Sequence, residues 1–276
     1  MTAADSSFSP VPLRIPGIKL PLQLFVHGEA DRFVSRRIRE EGIWEPYETN
    51  LVLGALQPGD VFLDVGANIG YFPVIAASRV GRHGKILAFE PDPDNYRLLS
   101  KNLELNDCRE VVTAFEAGLA DENATGQLFL SEDTAGDHQI FATQGARRSL
   151  PVALYNGSDF LRERLQRLDL VKVDVQGAEY AVMAGLLPLL RELPSLPRII
   201  LELTPLSLRQ AGSSGRALLE LLATLDQPSW IIDHIEHRLA ACSYAELARW
   251  CDDVDAVPGD AGFMNILLGT PVPGHC

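Results

Sequence analysis

The strongest constraint on this chain is a short apolar run, Val61-Phe62-Leu63-Asp64-Val65, that stops in the glycine-rich turn Gly66-Ala67-Asn68-Ile69-Gly70. An apolar run this short, bounded by a turn signal, reads as a buried strand rather than a helix. A helix is expected next, over about 69–80, with Pro73 in its first turn and Gly81 as a left-handed stop. The pattern then repeats. Further strands are expected at 86–90, 111–116, 170–175, 198–203, 229–235 and 263–268, with helices opening at Pro91-Asp92-Pro93-Asp94 and over about 178–191 and 215–225. Strands that alternate with helices predict an α/β, Rossmann-like, doubly wound and mostly parallel sheet of seven strands, with helices on both faces.

Residues 127–155 read as extra strands around a polar loop, and 30–56 as helical segments broken at Gly42 and Pro46. The first 20 residues, with Pro10, Pro12 and Pro16, read as an extended or poorly ordered arm. The predicted organisation is an N-terminal arm and helical lid over 1–50, followed by one domain over 51–276.

Charge narrows the partners. With 24 Lys and Arg against 37 Asp and Glu, the formal charge is −13, which argues against a general grip on nucleic acid or anionic lipid. The start, Met1-Thr2-Ala3-Ala4-Asp5, lacks the pattern of a secretory signal, and no apolar run approaches a membrane span. The cysteines at 108, 242, 251 and 276 form no CxxC pair and read as free thiols. A cytoplasmic protein acting on a small molecule is expected, with homo-oligomerisation left open.

In an open parallel sheet, ligands bind beyond the carboxyl ends of the strands, at the switch point. Asp64, Gly66, Asn68 and Gly70 occupy that place, and Glu90, ending the second strand before Pro91, stands where an acid bonds ribose hydroxyls. A dinucleotide would need GxGxxG, but Asn68 replaces the middle glycine and Asp64 would repel phosphate. S-adenosylmethionine carries no phosphate and is cationic, so an acid at Asp64 favours it. Ala117 and Asp121, near the third strand, are expected at the adenine, and Glu45 in Trp44-Glu45-Pro46-Tyr47 at the methionine end.

Methyl transfer to a weak nucleophile calls for a base, or for a metal that lowers the nucleophile's pKa. Asp174, closing the fourth strand, is the first candidate, with Glu202 on the fifth strand beside it. The two could instead share a divalent ion, for which Mg²⁺ suits carboxylates better than Zn²⁺. His138, in the polar loop, is a second candidate base because its pKa lies near neutral. Glu179 reads as a helix N-terminal acid. His234 and His237 suggest zinc only weakly: on a strand they would point to opposite faces, and no third ligand is evident.

Phe62–Phe72, Phe89-Glu90-Pro91-Asp92 and Lys172-Val173-Asp174-Val175-Gln176-Gly177-Ala178-Glu179 resemble the FkbM family of S-adenosylmethionine-dependent methyltransferases. The similarity runs from about Trp44 to Asn265. The resemblance implies a class I fold and methylation of hydroxyls on sugars or secondary metabolites, and the Gly136-Asp137-His138 segment resembles one found in family members. Two other readings remain: an NAD(P)-dependent oxidoreductase on a similar sheet, and a catalytically silent binding scaffold.

Overall fold

A computed structural model describes residues 9–28, 31, 33–129 and 149–275. The chain opens with the two-residue strands β1 (Val11–Pro12) and β2 (Gln23–Leu24), then helices α1 (Val34–Glu41) and α2 (Pro46–Ala55). The first βα units follow: β3 (Val61–Val65), α3 (Tyr71–Val80), β4 (Lys85–Phe89), α4 (Pro93–Leu105) and β5 (Val112–Phe115). Next come β6 (Gly118–Ala120), β7 (Ala124–Phe129), β8 (Ser149–Asn156) and α5 (Gly157–Leu161). The second half comprises β9 (Leu170–Val173), α6 (Glu179–Glu192), β10 (Arg198–Leu203), α7 (Pro205–Gln210) and α8 (Gly215–Ala223). It ends with β11 (Ser229–Asp233), β12 (Arg238–Ala241), α9 (Tyr244–Ala256) and β13 (Met264–Leu268).

The main sheet has the order β12-β11-β13-β10-β9-β3-β4-β5, parallel from β10 through β5 and antiparallel where β13 lies between β10 and β11. It therefore has eight strands rather than the expected seven. The additional one, β12, folds back on β11 as a hairpin; it spans four residues and buries Leu239. Between β12 and β13, where the sequence reading places no element, lies α9. Its start is fixed by a capping box between Ser243 and Glu246, and it buries Leu247, Ala248, Cys251 and Val254.

Period-two alternation divides the core between two faces. On β3, Phe62 packs with Leu51 and Val52 of α2, Ile75 of α3 and Leu99 of α4, while Leu63 and Val65 face Val182 and Leu186 of α6. The expected extra strands form a separate sheet, β6-β8-β7.

The described part of the N-terminal arm takes the extended form of the expectation and is held against α4. Asn102 and Asn106 on α4 act as substitute strand partners for it. Asn102 accepts from Phe25 N at 2.7 Å and donates to Phe25 O at 2.9 Å; Asn106 does the same for Gln23 at 3.0 and 2.7 Å. Ile15, Leu22, Leu24 and Val26 are thereby buried. The division expected at residue 50 falls inside α2, which packs in the same core as the sheet.

Candidate active site

The chain leaves β3–β5 on one side of the sheet and returns to β9 and β10 on the other, so the switch point lies between β3 and β9. A solvent-open cleft of about 1130 Å³ sits there, and Glu45, Gly66, Asn68, Glu90, Pro91, Asp174 and Glu202 line it together. Asp64, Gly70 and Ala117 lie outside its lining, and Asp121 is exposed away from it, its carbonyl accepting from Asn156 Nδ2 at 2.6 Å. Asp121, expected at the adenine, is thus absent from the cleft's lining, whereas Gly118, Leu119, Leu128 and Leu154 line it. His138 lies outside the described residues.

The turn after β3 is wound tightly. Gly66 has φ 91°, and a Cβ there would meet Asp174 O at 1.9 Å, so only glycine lets the two strand ends approach. Gly66 N and Ala67 N both donate to Phe89 O at 2.9 Å. Asn68 N donates to Glu90 Oε2 at 2.7 Å, and Ile69 N to Asn68 Oδ1 at 2.7 Å. Every amide from Gly66 to Ile69 is therefore occupied by the protein itself. Glu90 Oε1 accepts from Asp92 N at 2.9 Å, and burial, opposed by these bonds, pushes the carboxyl up to about 7.

At the β9–β10 end the sheet register gathers charge. Lys172 stands opposite Asp64, and Glu202 aligns with Asn265, all on the face covered by α2. Lys172 Nζ lies 2.9 Å from Asp174 Oδ2, 3.5 Å from Glu48 Oε1 on α2 and 4.7 Å from the Phe72 ring centroid. Burial works against its charge, but Asp174, Glu48, Glu45 and Asp64 more than offset that and hold the ammonium well above its usual range. Both oxygens of Asp64 are buried without a hydrogen-bond partner, and burial lifts this carboxyl to about 7. Glu45 and Glu202 are held well above the usual carboxylate range, first by burial and then by neighbouring acids.

Gln176, with φ 54°, places its Nε2 3.1 Å from Asp174 Oδ1 and 2.9 Å from Glu202 Oε2. An amide donor thus occupies the place a cation would take between the two acids. Among the described residues no three His, Cys, Asp or Glu side chains converge to hold a metal. The expected Mg²⁺ alternative does not fit these residues. Glu179 accepts from Val175 N and Gly177 N at 2.9–3.2 Å, shaping the β9–α6 turn.

His234 and His237 lie in the β11–β12 turn, not on a strand as expected, and both rings face Tyr47, with centroids at 6.3 and 5.4 Å. Sequence reasoning missed Glu48, which joins Lys172 to Asn265 Nδ2 at 2.7 Å, and it gave Gln176 no role.

Residues 64–239, more than half of the chain, match the methyltransferase FkbM domain. The chain belongs to the FkbM methyltransferase family. It is 33% identical over 159 residues to Methyltransferase sdnD of Sordaria araneosa, covering 46% of this chain and 61% of that protein. It is also 33% identical over 150 residues to Methyltransferase 1 of Beauveria bassiana, covering 47% and 59%. AMB antimetabolite synthetase AmbE of Pseudomonas aeruginosa is 30% identical over 255 residues, or 78% of this chain and 11% of the synthetase. The chain thus spans about 60% of the length of the first two relatives. The FkbM match begins at Asp64, so α1 and α2, with Glu45 and Glu48, lie ahead of it. No helix among the described residues is long and apolar enough to cross a membrane.

Proposed function

We propose that the cleft binds S-adenosylmethionine and that the protein methylates a hydroxyl group of a small molecule, such as a sugar or a secondary metabolite. The occupied turn carries this reading. The amides of Gly66, Ala67, Asn68 and Ile69, which would have to cradle a pyrophosphate, already donate within the protein. A nicotinamide dinucleotide has no seat there, whereas a phosphate-free nucleoside needs none. Buried acids without hydrogen-bond partners at Asp64 and Glu45 suit a cationic ligand. Glu90 lines the cleft; its Oε1 already accepts from Asp92 N and Asn95 Nδ2, while Oε2, which accepts from Asn68 N, keeps a lone pair for a ribose hydroxyl.

When bound, the cofactor supplies an electrophilic methyl group on a sulfonium. Asp174, at the carboxyl end of β9, would take the acceptor's hydroxyl proton as the oxygen–carbon bond forms and the carbon–sulfur bond breaks, its electron pair staying with the departing thioether. Lys172 and Gln176 each hold one oxygen of that carboxylate and leave a lone pair on each. Trp44, Tyr71 and Phe72 line the same end and exclude water from it. Residues 1–50 act as arm and lid for a methyl-transfer unit over 51–276, with α2 joining the two.

Calorimetric titration with S-adenosylmethionine and with NAD tests the cofactor, and only the former should bind. Incubating a metabolite extract with the trideuteromethyl cofactor, then tracing the label by mass spectrometry, identifies acceptor and atom. Asp174→Asn should bind the cofactor normally and lose label transfer. Binding of NAD alone, or full transfer by the variant, overturns the reading or the role of Asp174, respectively.

A further inference from the structure

Strand order makes the cleft asymmetric. At its β4–β5 side the wall is Glu90 with the apolar side chains of Phe89, Leu119 and Leu128. At the β9–β10 side, three strand spacings or roughly 14 Å away, it presents the carboxylates of Glu45, Asp174 and Glu202. Lys172 is the one ammonium lining this end among the described residues, and it is already paired with Asp174 and Glu48. One acceptor there remains unmet: Glu45 Oε2 is shielded from solvent with no hydrogen-bond partner. Both oxygens of Asp64, just outside the cleft's lining, are unpartnered too and add to the excess of acid behind this wall. Glu45 is held in this position by a left-handed backbone, φ 40° and ψ 72°, that only a well-fixed chain sustains in a non-glycine residue. The aromatic rings of Trp44 and Phe72 line the same end, and the Phe72 face already has an ammonium 4.7 Å from its centroid.

Carboxylates in excess of ammonium, an unmet buried acceptor and aromatic faces together suit an onium group, and the Gln176 amide takes the place of a metal. We propose that the β9–β10 end of the cleft is an onium subsite. In it, Glu45 and Glu202 make the protein prefer the sulfonium form of its cofactor to the neutral thioether that remains after methyl transfer. The subsite rests on the cleft being the S-adenosylmethionine site, and it adds a property that would keep the spent product from blocking turnover. Glu45 lies ahead of residue 64, so this selector is supplied partly by a segment outside the family match.

Calorimetry with S-adenosylmethionine, S-adenosylhomocysteine and sinefungin, whose ammonium replaces the sulfonium, tests it without any acceptor. The wild-type protein should bind the two cationic ligands roughly tenfold or more tighter than S-adenosylhomocysteine, the scale expected of charges at a few ångströms in a partly shielded site. Glu45→Gln and Glu202→Gln should each shrink that ratio severalfold and leave S-adenosylhomocysteine affinity in place. Equal or tighter binding of S-adenosylhomocysteine by the wild type overturns the subsite while leaving the cofactor reading intact. Variants that weaken all three ligands alike overturn the roles of Glu45 and Glu202. Failure of all three ligands to bind the wild type would refute the cofactor reading itself.

Discussion

Asp64 and Lys172 stand opposite one another on the adjacent parallel strands β3 and β9, yet neither oxygen of Asp64 accepts a hydrogen bond. The ammonium is instead drawn to Asp174 and Glu48. Burial without a hydrogen bond disfavours the charged form of this carboxyl.

A pH dependence follows from it. Burial pushes Asp64, Glu90 and Glu179 each up to about 7 in the folded chain, whereas unfolded carboxyls titrate near about 4. The folded state holds more protons across that window. Stability of the ligand-free protein is therefore greatest on the acid side and falls as pH rises from about 4 to about 7, by at most about 1.4 kcal/mol per pH unit for each group. Thermal melts between pH 4.5 and pH 8 should show Tm decreasing, and Asp64→Asn should flatten the decline. A Tm that rises over this range would contradict the burial argument.

Glu90→Ala removes the acceptor for Asn68 N and Asp92 N as well as the carboxylate that faces the cleft. Cofactor affinity should drop by about 1.5–3 kcal/mol, the scale of charge-assisted hydrogen bonds. Glu90→Gln should lose less. Unchanged affinity in calorimetric titration of the alanine variant would reject a ribose-binding role.

Replacing Lys172 with Met leaves Asp174 and Glu48 facing one another without the ammonium between them. Stranding buried charge in this way costs about 3–5 kcal/mol. Adding Glu48→Gln to Lys172→Met should restore part of that loss, because one of the stranded charges is gone. Denaturant unfolding of the two variants measures both effects. A single variant as stable as wild type would show that α2 is not tied to β9 through this contact.

Much of this architecture was legible because buried strands announce themselves locally. The runs at 61–65 and 199–203 hold nearly continuous apolar residues, and the polar exceptions within them, Asp64 and Glu202, fall toward the carboxyl ends of their strands. The capping box at Ser243 and Glu246 is a local mark of where α9 starts. Other parts carry no local mark. Glu48 meets Asn265 across 217 residues of sequence, and nothing near either position shows that a glutamate in α2 will point at the sheet. The asparagines of α4 look like surface residues until the N-terminal arm is laid beside them. Gln176 was visible within its motif, but its bridging amide depends on a left-handed backbone that only the folded turn imposes.

Helix α2 sends Glu45 into the cleft and Glu48 beneath it, from a stretch that precedes Asp64, where the shared family segment begins. On the reading proposed above, the two selector acids thus straddle that boundary, Glu45 ahead of it and Glu202 within it. Transplanting α2 between related proteins would move one selector alone, and would also have to carry a partner for the buried Lys172.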